Sequence, residues 1–200
     1  MIVTLGDDHP LVGDEHLIAA SLGPARKREL AAGRTALRTA LAELAAPSQL
    51  DASTLSAQPI LADDRGAPIL PAGFVGSISH KAERAAGLVA PAGRGFVGLD
   101  IELAAPPRMP IERRILTPRE QAHVSGRDVT LYFSIKEAIY KAIDPIVRRY
   151  VGFTEIELDV RSDGSVSVTV LDATRLPVEI EASWLERDGY WLATARGRRR

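Results

Sequence analysis

From Phe153 onward the chain alternates apolar and polar residues with a period of two, a pattern that a helix does not use. "FTEIELDV", "GSVSVTVLD", "VEIEASWLER" and "YWLATARG" each read as a strand with one buried face. "SDG" and "RDG" between them read as hairpin turns. The last fifty residues therefore form an antiparallel sheet, and one face of it needs cover. The segment upstream can supply that cover. "DVTLYFSIKEAIYKAID" sets Leu131, Ile135, Ala138, Ile139 and Ala142 on one helical face, with Pro145 expected to stop the helix. Before it, Thr117, Pro118 and Glu120 carry a capping-box signature.

The first half repeats the plan on a smaller scale. "IVTL" is a short strand near the start. Pro24 to Ala45 is a helix rich in Ala, Leu and Arg, with Leu30, Leu37, Leu41 and Leu44 on its buried face. Arg34 and Arg38 lie four apart on another face, which from the residues alone reads as a solvated arginine stripe. A turn-rich segment from Ala62 to Phe74 leads into three strands, "VGSISH", "AAGLVA" and "FVGLDIEL". "APAGRG" reads as a hairpin turn joining the last two. The order helix, strands, helix, strands gives an α+β fold in two similar-looking halves, 1–103 and 104–200.

Composition narrows the function classes. Apolar content is 46% and net charge is −1, which suits a packed fold and argues against a coat for nucleic acid. The one basic cluster, "RGRRR" at Arg196 to Arg200, reads as a solvated tail. With no cysteine there are no disulfides, thiolate zinc sites or Cys nucleophiles. No stretch reaches the roughly 20 apolar residues of a membrane span, and "MIVTLGDDHP" lacks the basic and apolar regions of a signal peptide. The expectation is a cytoplasmic protein. His9, His16 and His123 read as ordinary surface or loop residues.

The chemistry gathers around "FVGLDIEL". Alternation puts Asp100 and Glu102 on one strand face, about 7 Å apart, where like charges repel. On the downstream helix, Glu137, Lys141 and Ser134 share the side away from the apolar stripe, and Lys136 points to a flank. Three carboxylates without His or Cys suit Mg²⁺, with Mn²⁺ as the alternative, and a metal would neutralise the repulsion. The plainer readings stay open at this point: an i, i+4 surface pair for Glu137 and Lys141, and the wet face of a sheet for Asp100 and Glu102.

"GSISHK" (Gly76 to Lys81), "GLDIE" (Gly98 to Glu102) and "FSIKEAIYKA" (Phe133 to Ala142) stand in order at separations that resemble the three signature motifs of the 4′-phosphopantetheinyl transferases. The length resembles the monomeric Sfp-type branch and its enterobactin-synthetase-associated (EntD-like) group. "AAGRTALRTAL", "DRGAPILPAGFVGSISH" and "YKAIDPIVRRYVGF" extend the likeness from about Arg26 to Phe153.

The resemblance implies two α+β halves related by a pseudo-twofold, with coenzyme A in the cleft between them. It implies Mg²⁺-dependent transfer of the 4′-phosphopantetheine arm to a serine of an acyl, peptidyl or aryl carrier protein, with release of adenosine 3′,5′-bisphosphate. Residue by residue it implies metal ligands at Asp100, Glu102 and Glu137, a phosphate-binding lysine at Lys141, and catalytic roles for Glu102, Glu137 and Lys141. It implies coenzyme A contacts at Ser79, His80, Arg34 and Thr35.

The Gly-Lys-Pro of many Sfp-type members is here Gly66-Ala67-Pro68, with Arg65 one residue earlier as the substitute cation. For carrier docking the expectation is "RMPIERRIL" (Arg108 to Leu116), three arginines flanked by Ile111, Ile115 and Leu116. Two other readings of the same residues are a Mg²⁺-dependent nucleotide phosphohydrolase and a non-catalytic coenzyme A-binding module.

Overall fold

The computed structural model describes residues 1–6, 8–45 and 57–200. They form two compact units, Met1–Arg94 and Gly95–Arg200. The fold class is α+β, as expected.

In the first unit, β1 (Ile2–Thr4), β2 (Phe74–Lys81) and β3 (Arg84–Pro91) make an antiparallel sheet in the order β1-β3-β2. The short helix α1 (Glu15–Ala20) precedes α2 (Pro24–Ala45), which packs on that sheet. Pro24 begins α2 with its φ already helical. The buried face of α2 is mostly small: Ala31, Ala32, Ala36 and Ala45 join Leu37 and Leu41. That lets the helix backbone come down onto the sheet. A Cβ at Gly87 of β3 would lie 2.7 Å from the Leu37 backbone nitrogen, so only glycine allows this approach.

The second unit has a five-stranded antiparallel sheet in the order β4-β8-β7-β6-β5. Its strands are β4 (Phe96–Leu103), β5 (Ile156–Val160), β6 (Ser165–Val170), β7 (Val178–Arg187) and β8 (Tyr190–Arg199). Two single-turn helices, α3 (Glu112–Ile115) and α4 (Pro118–Gln121), lead to α5 (Asp128–Val147), and a 3₁₀ turn (Phe153–Glu155) opens β5. The predicted alternation becomes a buried stripe on β8 at Trp191, Ala193 and Ala195, which joins Ile135, Ala138, Ile139, Ala142 and Ile143 of α5 in one core. The capping box forms as expected: the Glu120 N–H donates to Thr117 Oγ1, and the Thr117 N–H to Glu120 Oε2 at 2.7 Å.

Three expectations need correction. "APAGRG" is not a hairpin turn, because β3 pairs with β1 and β2 whereas β4 pairs with β8. For the same reason the compact second unit begins at Gly95, not at residue 104. Pro145 does not stop α5, which continues to Val147 and ends where Arg148 turns left-handed at φ 47°. A proline so near the C-terminus forfeits only one late hydrogen bond. No helix among the described residues is long and apolar enough to cross a membrane.

Candidate functional site

In the second unit the site is built where α5 crosses β4. Phe96–Leu103 is buried on both faces over most of its length. The face carrying Gly98, Asp100 and Glu102 is the one turned to α5, since a Cβ on Gly98 would overlap the Ala138 carbonyl oxygen and lie 2.7 Å from the Ala142 nitrogen. Asp100 is therefore 5% exposed, and the reading of this face as wet fails. Ser134 Oγ donates to Asp100 Oδ2 at 2.9 Å. Lys141 Nζ donates to Asp100 Oδ1 at 2.8 Å and to the Leu99 carbonyl at 2.9 Å. Lys141 is thus tied to the strand rather than spread over the surface beside Glu137.

Glu137 and Glu102 are half-buried nearby. Burial pushes the Glu137 carboxyl above its ordinary range, the Asp100 charge pushes it further, Lys141 opposes, and Glu102 adds a smaller push in the same direction as Asp100. The three carboxylates therefore lie within one another's field, with one lysine against them. Among the described residues no three His, Asp or Glu side chains converge as a ready metal cage. The donor set still fits a hard divalent cation. It offers carboxylate oxygens only, one of them desolvated and repelled by its neighbours, a state that a cation relieves.

Glu137 also forms part of the wall of an apolar cavity of about 420 Å³, lined among others by Ile111, Phe133, Tyr140, Tyr150 and Phe153.

Lys136, read from sequence as a flank residue, is buried at 3% exposure. Its Nζ donates to Glu120 Oε2 at 2.6 Å, to the Ile115 carbonyl at 2.8 Å and to the Phe153 carbonyl at 3.0 Å. Glu120, wholly buried, uses Oε1 to accept the Leu158 N–H at 2.8 Å. This pair holds α3, α4, α5 and β5 together beside Glu137. The capping box pointed to Glu120, but nothing in the local pattern pointed to its partner. Breaking a buried pair from one side leaves an uncompensated charge. Lys136→Met is expected to cost about 3 kcal/mol in urea unfolding, with part recovered when Glu120→Gln is added. An unchanged unfolding midpoint in the single variant would remove the pair from this role.

The remaining predicted residues belong to the first unit. Ser79 is 9% exposed on β2. His80 Nε2 lies 3.7 Å from Glu29 Oε2 of α2, and Arg26 pairs with the same carboxylate oxygen at 3.0 Å. On α2, Arg34 Nε donates to the Ile60 carbonyl at 3.0 Å, and the Thr35 hydroxyl oxygen is buried without a hydrogen-bond partner among the described residues. Asp63 Oδ1 accepts the N–H groups of Arg65 and Ala67, each at 2.9 Å, and closes a turn through Gly66 at φ +87° to Pro68. Arg65 stands exposed on that turn.

The arginine stripe is not solvated. Arg38 is 9% exposed and pairs with the wholly buried Glu15, a residue that sequence reasoning missed because its partner lies 23 positions away. In "RMPIERRIL" the flanking Ile115 and Leu116 are core residues, 1% exposed each, and the solvent-facing residues are the three arginines with Met109 and Pro110.

Comparison with known proteins accounts for both units. Residues 14–90 match the family described as 4′-phosphopantetheinyl transferase N-terminal domain, and residues 96–195 match the 4′-phosphopantetheinyl transferase superfamily. The chain is 34% identical over 164 residues to the 4′-phosphopantetheinyl transferase Npt of Nocardia iowensis, covering 78% of this chain and 68% of that protein. It is 31% identical over 168 residues to PptT of Mycobacterium tuberculosis, covering 78% and 67% respectively. Among solved structures, the ACPS–CoA complex of Chronobacterium ammoniagenes aligns with a TM-score of 0.42 at 22% identity, covering 52% of this chain and 97% of that one. With family matches on either side of the link at Arg94, and relatives of its own type over most of its length, the chain belongs to the 4′-phosphopantetheinyl transferases, an enzyme superfamily, and to their Sfp-type branch.

Proposed function

We propose that this enzyme moves the 4′-phosphopantetheine arm of coenzyme A onto a serine hydroxyl of a carrier protein, in a Mg²⁺-dependent reaction that releases adenosine 3′,5′-bisphosphate. The observation that carries this reading is the meeting of Asp100, Glu137 and Lys141 at the α5–β4 crossing of a chain from this family. Asp100, Glu102 and Glu137 would hold the metal, which when bound neutralises pyrophosphate charge and acts as a Lewis acid.

The protein's own groups do the positioning. Ser134 and Lys141 fix the Asp100 carboxylate from both oxygens. Lys141 is also the cation available to charge developing on the leaving phosphate. The serine proton passes to a carboxylate, Glu102 or Glu137. His80, Ser79, Arg34, Thr35 and the Arg65-Gly66-Ala67-Pro68 turn would contact coenzyme A. The likeness to the EntD-like group favours a siderophore or secondary-metabolite carrier, with the enzyme acting as a cytoplasmic monomer.

Intact-mass measurement of apo-carriers incubated with the enzyme, coenzyme A and Mg²⁺ tests the reaction. A gain of one phosphopantetheine supports it, and bisphosphate release without any carrier gain would favour the phosphohydrolase reading. Two finer assignments have their own tests. Arg65→Ala is expected to raise KM for coenzyme A severalfold with kcat little changed, and a wild-type KM would dismiss Arg65 as the substitute cation. The exposed Arg113 and Arg114 suit the acidic helix that carriers of this kind present beside the serine. Reversing both to Glu is expected to raise carrier KM at least tenfold while leaving coenzyme A affinity unchanged, and an unchanged carrier KM rejects this docking face.

A further inference from the structure

One carboxylate of the first unit faces two guanidinium groups. Glu15 of α1 is wholly buried, and both of its oxygens are used. Oε2 accepts the Val12 N–H at 2.9 Å, whereas Oε1 accepts the Arg38 guanidinium and the Ile60 N–H, the latter at 2.7 Å. The carbonyl of the same Ile60 accepts Arg34 Nε at 3.0 Å. Ile60 is thus held at both ends, its N–H by Glu15 and its C=O by Arg34, and its side chain is 2% exposed. The chain Glu15, Ile60, Arg34 is a rigid relay across 45 residues of sequence.

The charges do not balance. Arg38 is committed to Glu15 and reaches the Pro10 carbonyl at 3.5 Å. Arg34 is half-buried, and among the described residues its only hydrogen bond is the one through Nε. Burial pulls its pKa below the ordinary arginine value, against the pull of Glu15 and with a small push from Arg38. An arginine pinned through Nε presents its two terminal nitrogens as a fork that matches a phosphate. Among the described residues Glu15, Arg34 and Arg38 sum to +1, and a half-buried guanidinium in such a cluster favours an anionic partner.

We propose that Glu15 is a positioning residue: through the Ile60 backbone it fixes the Arg34 guanidinium so that its terminal nitrogens take a phosphate group of the substrate. The assignment rests on the reading of Arg34 as a coenzyme A contact. Glu15 itself does not touch substrate.

A double-mutant cycle on the full chain tests the relay, with adenosine 3′,5′-bisphosphate as the probe in calorimetry. Glu15→Asp, which shortens the tether, and Arg34→Ala are each expected to weaken binding about tenfold, the scale of one charge-assisted contact. The double variant should bind no more weakly than Arg34→Ala alone. KM for coenzyme A should rise in parallel, with kcat at saturation unchanged. A merely structural Glu15 would lower the melting temperature and leave the Kd of the folded protein as it was, and that result overturns the proposal. So do losses that multiply in the double variant.

If Glu15→Asp does not fold, Glu15→Met with Arg38→Met removes the buried pair as a unit at constant net charge and enters the same cycle. Bisphosphate binding that is indifferent to Arg34 overturns this inference and leaves the transfer reaction standing. A wild-type chain that binds neither bisphosphate nor coenzyme A overturns both.

Discussion

Gly98→Ala is expected to leave no stable second unit. The added methyl would overlap the Ala138 carbonyl oxygen and stand 2.7 Å from the Ala142 nitrogen, both of them backbone atoms of α5. A side chain in the way can rotate, but a helix backbone held by its own hydrogen bonds has to move as a body. Moving it would open the core that α5 shares with β8 at Trp191, Ala193 and Ala195. Ordinary overpacking costs about 1–3 kcal/mol; with backbone as the obstacle, a cost on the order of 5 kcal/mol is expected. Urea unfolding of Gly98→Ala against Gly23→Ala measures it. Gly23 has nothing within 4 Å of its missing Cβ, so that substitution should shift stability little. A Gly98→Ala midpoint near wild type would mean that the α5–β4 crossing is looser than described.

The same glycine shows how far sequence pattern reaches. Period-two alternation located β4 and the four C-terminal strands, and helical spacing located α2 and α5, because each pattern is local. What lies across elements is not local. Val97, Leu99 and Ile101 of β4 looked like its only buried face, yet Asp100 is as buried as Val97, because a glycine one pleat away lets a helix sit over it. Lys136 and Glu15 were missed for a related reason. A buried charge looks like a surface charge until its partner is known, and the partners Glu120 and Arg38 lie 16 and 23 residues away. The mispaired hairpin at "APAGRG" is the same fault in the sheet, since pairing in sequence order is only a default. Candidate ligands Asp100, Glu102 and Glu137 could be named from pattern and family likeness. That Lys141 and Ser134 both hold Asp100 could not.

Asp100→Asn is the substitution expected to silence the enzyme with the least damage to the fold. Asparagine keeps the volume, and its amide can still meet Ser134 Oγ and Lys141 Nζ, which hold Asp100 at 2.9 and 2.8 Å. What it loses is the charge. Lys141 keeps the Leu99 carbonyl as a partner, so no cation is stranded without an acceptor, and the cost to stability should stay near 1 kcal/mol. A divalent cation would lose much more, because a neutral amide oxygen is a weak replacement for a carboxylate among hard ligands. The wild type in Mg²⁺ at tenfold over Kd should gain about 1.4 kcal/mol of stability, seen as a raised melting temperature. The variant should show no such gain, and its carrier modification should fall at least about 10²-fold, the scale of one lost electrostatic contact at the reacting group. The two readouts separate the causes. A variant that keeps the Mg²⁺ shift but loses transfer would make Asp100 a partner of Lys141 rather than a metal ligand. A variant that keeps both would remove Asp100 from the site altogether, and the repulsion on β4 would then be balanced by Lys141 alone.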